Sequence, residues 1–153
     1  MSKGVDRAML ATVVAVILTY NRKDLLKECL QVIARQTRAP DAVVVMNNGG
    51  TDGTDDMLAA EFPQVPEVRL PENIGPAGGY HELMKYTYAS GYTWLWMTDD
   101  DGKPAPETLA HLLDGMTKWE LDLASPLGVF CISPRKGIFP RARVDLSLGR
   151  MEL

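Results

Sequence analysis

The chain has 153 residues, enough for one domain with a substantial core, and its 46% hydrophobic to 24% charged balance is that of a globular rather than a disordered chain. The formal net charge of −4 provides no global attraction to nucleic acid or to an anionic membrane surface. Cys29 and Cys131 lie far apart and match no metal-ligand spacing, so both read as reduced, buried thiols.

In chain order, the first apolar run is AMLATVVAVIL (8–18), which follows Lys3 and Arg7 as the core of a signal peptide would. It leads into TYNR without a small-residue cleavage pattern, is rich in valine and is too short to span a bilayer, so it predicts a fully buried strand. RKDLLKECLQVIARQ then has helical spacing, with Leu25 or Leu26, Cys29 or Leu30, and Ile33 inward. Asn21 is the expected N-cap, and Asp24 sits in the first turn. DAVVVMN (41–47) predicts a second strand, NNGGTDGT (47–54) a dense turn, and DDMLAAEF a short helix stopped before Pro63.

EVRL (67–70) predicts a third strand and PENIGPAGG (71–79) a second glycine-rich loop. That loop opens onto the helix YHELMKYTYAS, closed by Gly91. YTWLWMT (92–98) predicts a fourth strand, APETLAHLLDGMTKW (105–119) an amphipathic helix with Leu109, Leu112, Leu113 and Met116 inward, and LGVFCIS (127–133) a fifth strand. No other stretch resembles a transmembrane helix, so any membrane contact is expected to be peripheral. Alternating strands and helices predict a mostly parallel sheet covered on both faces, in one domain over 1–153 with its core at 12–133. Segment 134–153 has weak periodicity and reads as incomplete; an uncovered sheet edge there is a route to a homodimer.

Such sheets bind ligands at the carboxyl ends of their strands, and TYN, NNGGTDGT, NIGPAGG and TDDD all fall there. Asp99 and Asp101 are two residues apart, so strand periodicity points them together and Asp100 away. Paired carboxylates suit a hard cation such as Mn2+ or Mg2+. The bland alternative is a solvated acidic turn at Asp101 and Gly102. Glycines let a backbone approach and offer N–H groups to phosphate, and a helix N-terminus adds a favourable dipole. NIGPAGG is neither the dinucleotide nor the P-loop fingerprint, and it is weak evidence alone; packing of Gly78 and Gly79 against the sheet is the plain alternative.

Taken together, VVAVILTYNRKDLLKECLQVIARQT, AVVVMNNGGTDGT, ENIGPAGG and WLWMTDDDG resemble, in order and spacing, the inverting family 2 glycosyltransferases of the GT-A fold, over roughly residues 12 to 116. The pairing of NIGPAGG with an aromatic strand before the triplet is most similar to the rhamnosyl- and galactofuranosyltransferase-like branch. The resemblance implies a metal-dependent enzyme that moves a sugar from a UDP- or dTDP-linked donor to a hydroxyl of a glycan or lipid-linked acceptor in cell-surface polysaccharide synthesis. It implies a cytoplasmic protein, with the inner face of the membrane as an alternative location.

By position, Thr19 and Tyr20 match the lining of the nucleobase pocket, and Asn21 joins them in the donor site. Asn47 matches a position usually held by an aspartate that meets the base, and Asp52 the aspartate of the following turn, where capping alone would explain it. Asn73, Gly75 and Gly79 match the loop beside ribose and diphosphate. Asp99 and Asp100 count with the donor site, and Asp99 and Asp101 match the metal-binding D-x-D pair, Asp101 being the more direct ligand.

Two departures stand out: Asn47 lacks the usual charge, and GGT replaces GST, losing a hydroxyl at Gly50. The family's general base lies further along the chain, and no residue here is assigned to it. Asp145 and Glu152 sit in no recognisable motif, and His81 and His111 read as helix residues. The chain is expected to be the N-terminal donor-binding part of the family's catalytic unit. A non-catalytic nucleotide-sugar-binding or assembly module is the alternative of another class. A sugar-nucleotide nucleotidyltransferase ranks lower, because TYNRKD lacks that class's glycine- and arginine-rich first loop.

Overall fold

The computed structural model describes residues 12–118, 143–145 and 150–152. In chain order the elements are β1 (Val13–Thr19), α1 (Lys23–Ile33), β2 (Ala42–Asn47), α2 (Thr54–Glu61), β3 (Glu67–Arg69), α3 (Gly75–Ala89), β4 (Trp94–Asp99), α4 (Thr108–Lys118), β5 (Arg143–Asp145) and β6 (Arg150–Glu152). The expected strand at 127–133 lies outside the described residues. Within 134–153, β5 and β6 form an antiparallel pair, with Arg143 opposite Glu152 and Asp145 opposite Arg150.

The main sheet has the order β3-β2-β1-β4, and its three strand pairings are all parallel. β1 lies inside it, and all seven of its residues are buried, as its unbroken apolar run predicts. Its side chains divide by the pleat. Val13, Ala15 and Ile17 join Leu26, Cys29, Leu30 and Ile33 of α1, Met57 and Leu58 of α2, and Leu109 of α4. Val14, Val16 and Leu18 face the other way, with Val44, Met46 and Leu83 of α3. Thus α3 covers one face, and the other three helices cover the opposite one.

This arrangement follows from the crossover rule. The chain steps outward from β1 to β2 to β3, with α1 and α2 on one face. It then returns past β1 to β4, and a right-handed crossover in that reverse direction puts α3 on the other face. The strand order therefore reverses at β1, and the carboxyl ends of β1 and β4 flank the switch point at which sheets of this kind bind ligands.

Two boundaries differ from expectation. α3 begins at Gly75, so the second glycine loop ends sooner and its last glycines belong to the first helical turns. Asn21 does not cap α1. Arg22 occupies the N-cap position without a side-chain cap bond, and Asn21 adopts φ 52. The first-turn donor is satisfied from another loop, because Lys23 N donates to Asp52 Oδ2 at 2.8 Å.

Candidate functional site

The carboxyl ends of β1 and β4 are joined by polar side chains. Thr19, the last residue of β1, is buried, and its hydroxyl donates to Asp100 Oδ2 at 2.8 Å. Asp100 is only 4% exposed, and its other oxygen accepts from Arg22 Nη1 at 3.3 Å. A buried carboxylate needs such partners, since leaving one unsatisfied costs its full desolvation penalty. Arg22 Nη1 also reaches Asp101 Oδ2 at 3.4 Å, with the Asp101 side chain 56% exposed.

The triplet is therefore arranged differently from the expected pattern. β4 ends at Asp99, and Gly102 N donates to Asp99 O at 3.0 Å, closing a turn over Asp100 and Asp101. Strand periodicity stops where that turn begins, so Asp100 folds inward instead of pointing away. Asp99 is drawn toward the α3 face, where the Tyr80 hydroxyl donates to its Oδ1 at 2.6 Å and to Thr98 O at 3.2 Å. Burial first, then the hydrogen bond to Asp99, push the Tyr80 phenol well above the ordinary tyrosine range, so it remains a donor. Beneath the triplet, Cys29 Sγ–H lies 3.5 Å from Asp99 O. Its thiol is pushed up to about 12, by burial first and then by the charges of Asp100, Asp101 and Asp99. That makes it an unreactive core thiol, as expected.

The second loop is pinned by amides. Asn47 is 1% exposed; its Oδ1 accepts from Gly50 N at 2.8 Å and its Nδ2 donates to Glu67 Oε1 at 2.9 Å. A Cβ at Gly50 would lie 2.7 Å from Asn47 Oδ1, so the backbone here approaches the amide closely. Asn21 Oδ1 accepts from Thr51 N at 2.7 Å, and Asp52 Oδ1 accepts from Thr54 N and its hydroxyl at 3.2 and 2.7 Å. Burial opposes ionisation of Asp52, but hydrogen bonds from Thr54 and from Lys23 N outweigh it and hold the carboxyl below 3.8. Asp52 thus caps its own turn and also holds α1.

Asn48 joins the second loop to the third. Its Nδ2 donates to Asn73 Oδ1 at 3.0 Å and Gly75 O at 3.1 Å, and its Oδ1 accepts from Ile74 N at 3.1 Å. Gly49 runs against the third loop at φ 76, where a Cβ would lie 2.4 Å from the Glu72 carbonyl carbon. Gly79 is buried in α3, and a Cβ there would lie 2.6 Å from Leu18 Cδ1, so this glycine serves helix–sheet packing.

Of the residues named from the sequence, Tyr20, Asn21, Asn73, Asp99 and Asp101 reach the surface, while Thr19, Asn47, Gly79 and Asp100 lie beneath it. Gly75 and Asp52 are half-buried between them. His81 lies inside α3, 3.8 Å from Glu82, and His111 is exposed in α4. Arg22, Asn48 and Tyr80 were not singled out from the sequence; each acts through partners more than 18 positions away, apart from Tyr80 to Thr98 at 18. Gln36 was missed likewise. Its amide donates to Ala105 O at 2.7 Å and accepts from Leu109 N at 3.1 Å, tying the end of α1 to the segment after the triplet.

Residues 14–149 match the family described as Glycosyl transferase family 2. The chain belongs to that family. It is 33% identical over 134 residues to the galactofuranosyltransferase GlfT1 of Mycolicibacterium smegmatis, covering 86% of this chain and 44% of that protein. It is 27% identical over 143 residues to the N-acetylglucosaminyl-diphospho-decaprenol L-rhamnosyltransferase of Mycobacterium tuberculosis, covering 88% and 46%. The family 2 chain therefore spans about half the length of these curated relatives. Among solved structures it is similar to a mannosyltransferase from Pyrobaculum calidifontis in complex with GDP-Man and Mn2+, with a TM-score of 0.57, 27% identity and coverage of 68% of this chain and 32% of that one. The fold is the GT-A fold expected from the four motifs.

No group of three or more His, Cys, Asp or Glu among the described residues is placed to hold a metal ion. The donor chemistry at the triplet nevertheless suits a hard cation, because Mg2+-like ions are commonly held by one or two carboxylates, with substrate phosphates and water as the remaining ligands. Asp101, exposed in the turn after β4, meets that requirement. No helix among the described residues is long and apolar enough to cross a membrane.

Proposed function

We propose that this chain binds the donor for a metal-dependent glycosyltransferase. The donor is a nucleotide-diphosphate sugar, UDP- or dTDP-linked, and the acceptor is a hydroxyl of a glycan or lipid-linked glycan in cell-surface polysaccharide synthesis. The carrying observation is that the loops after β1, β2, β3 and β4 are hydrogen-bonded to one another at the carboxyl end of the sheet, with the Thr19–Asp100–Arg22 group joining the first to the last. The mannosyltransferase solved with GDP-Man and Mn2+ supports a nucleotide-sugar donor and a divalent ion. A cytoplasmic location at the inner face of the membrane goes with a lipid-linked acceptor.

In this reading Tyr20 offers an exposed ring, 44% accessible, to the nucleobase. Asn47 shapes the base pocket from beneath by fixing Gly50, instead of reading the base with a free amide. Asn73, whose Oδ1 accepts from Gly75 N at 2.8 Å, shapes the loop beside ribose and diphosphate, and the N-terminal end of α3 adds a favourable dipole there. Asp101, with Asp99, would hold the ion, which neutralises charge developing on the leaving diphosphate. Thr19, Asn48 and Asp52 keep the loops at their mutual distances so that the donor meets a formed site.

Isothermal titration with UDP, dTDP and GDP, each with and without Mn2+, tests the proposal. Binding of UDP or dTDP that strengthens with Mn2+ is the expected result. Heat-silent titrations of both under both conditions, or Mn2+-dependent binding of GDP alone, would refute it.

A further inference from the structure

We infer that Arg22 is a built-in placeholder for the divalent ion, competing with it for Asp101. The inference rests on the metal-dependent reading above. Three consecutive carboxylates repel one another, and Arg22 supplies the cation that bridges two of them, at 3.3 Å to Asp100 and 3.4 Å to Asp101. The two contacts differ in kind. Asp100 is buried, with a second partner in Thr19, whereas the Asp101 side chain is 56% exposed. Both contacts use the same guanidinium nitrogen, and both lie at the long end of hydrogen-bond distance. The Arg22 side chain is 53% exposed at the N-cap of α1, so it has solvent to move into.

A divalent ion bound directly to Asp101 takes carboxylate oxygen at about 2.0–2.6 Å. The guanidinium and the ion would then crowd one carboxylate with like charges. The like charges oppose one another whichever oxygen the ion takes, so binding of the ion favours withdrawal of Arg22 from Asp101, and Arg22 tunes metal affinity downward. The resting protein keeps its triplet compensated and gives up that compensation when the ion arrives with the donor.

The test is Mn2+ binding to the 153-residue chain, read from the electron paramagnetic resonance signal of free Mn2+, with and without UDP. Arg22→Gln, which removes the charge, should bind Mn2+ about tenfold more tightly than wild type, the order expected for one unit charge at about 4 Å with screening close to that of bulk water, as befits an exposed side chain. Arg22→Lys, which keeps the charge, should stay closer to wild type than Arg22→Gln does. A merely structural role for Arg22 would lower thermal stability without raising Mn2+ affinity. Mn2+ binding by wild type with UDP that is unchanged or weaker in a folded Arg22→Gln protein would overturn the placeholder alone. Failure of every form to bind Mn2+, with or without UDP, would overturn both this inference and the metal-dependent reading.

Discussion

Asp100 and Asp101 are neighbours with opposite tasks, and single substitutions separate them. Asp100 is buried and satisfied by Thr19 and Arg22, so Asp100→Ala removes an acceptor from an enclosed polar group. It should destabilise the fold by about 1–3 kcal/mol, measured by urea unfolding. Asp101→Ala should leave the unliganded melting temperature nearly unchanged, since relief of carboxylate crowding offsets the lost turn residue. The same substitution should abolish metal-dependent nucleotide binding. If Asp101→Ala unfolds the protein instead, the triplet is a structural turn. The different roles could not be read from three identical letters. Periodicity places Asp99 on the strand, but whether the chain turns at Asp100 depends on Thr19 and Arg22, about 80 positions away. Asn48 and Tyr80 were illegible for the same reason: their roles exist only once β3, β2, β1 and β4 lie side by side.

At the scale of elements, the strands and helices were legible because their apolar periods are uninterrupted, as in β1 and in α1. The start of α3 was not, because its first residues, Gly-Pro-Ala-Gly-Gly, have loop composition; tertiary packing of Gly79 on Leu18 overrides local preference there. Gly49 tests how tightly the loops are locked. Gly49→Ala would place a Cβ 2.4 Å from backbone that has no rotamer to relieve it, at a φ of 76. A loss of about 2 kcal/mol or more in unfolding free energy is expected, with weakened diphosphate binding by titration calorimetry. Acid provides a second test. Asp41, which accepts from Val13 N, and Asp52 are both held below 3.8 in the folded chain. A carboxyl with a depressed folded value binds fewer protons folded than unfolded. Its stabilisation is thus complete above about pH 4–5 and is lost as pH falls through the unfolded and then the folded value. Urea midpoints should fall between pH 5 and pH 2.5, and Asp52→Asn should flatten part of that slope; an identical slope in the variant would remove Asp52 from the account.

For the molecule as a whole, the order of motifs along the chain was enough to expect the GT-A sheet, because ligand loops must fall at strand carboxyl ends whatever fills the helices between them. The site was legible as a location rather than as a set of contacts. The described residues form a sheet whose β4 edge has no partner strand among them, and Leu95 and Met97 there are 38% and 43% exposed. The chain covers less than half of its curated relatives, and no general base is assigned among its residues. Base assistance is typically worth ~10²–10⁴ in rate, and acceptor positioning contributes further. This chain alone should therefore release nucleotide diphosphate slowly from a donor, with little gain when an acceptor hydroxyl is supplied. Robust acceptor-dependent turnover would mean that a base is present, with Asp145, Glu152 and His81 the first positions to substitute.

The most direct measurement of the central claim is a crystal structure of the chain soaked with UDP and Mn2+, with anomalous data collected at the manganese edge. The account predicts one anomalous peak within coordination distance of Asp101, the diphosphate beside Asn73 and the first turn of α3, the uracil against Tyr20, and Arg22 withdrawn from Asp101. Manganese or UDP bound elsewhere, with the Arg22–Asp101 contact intact, would contradict it.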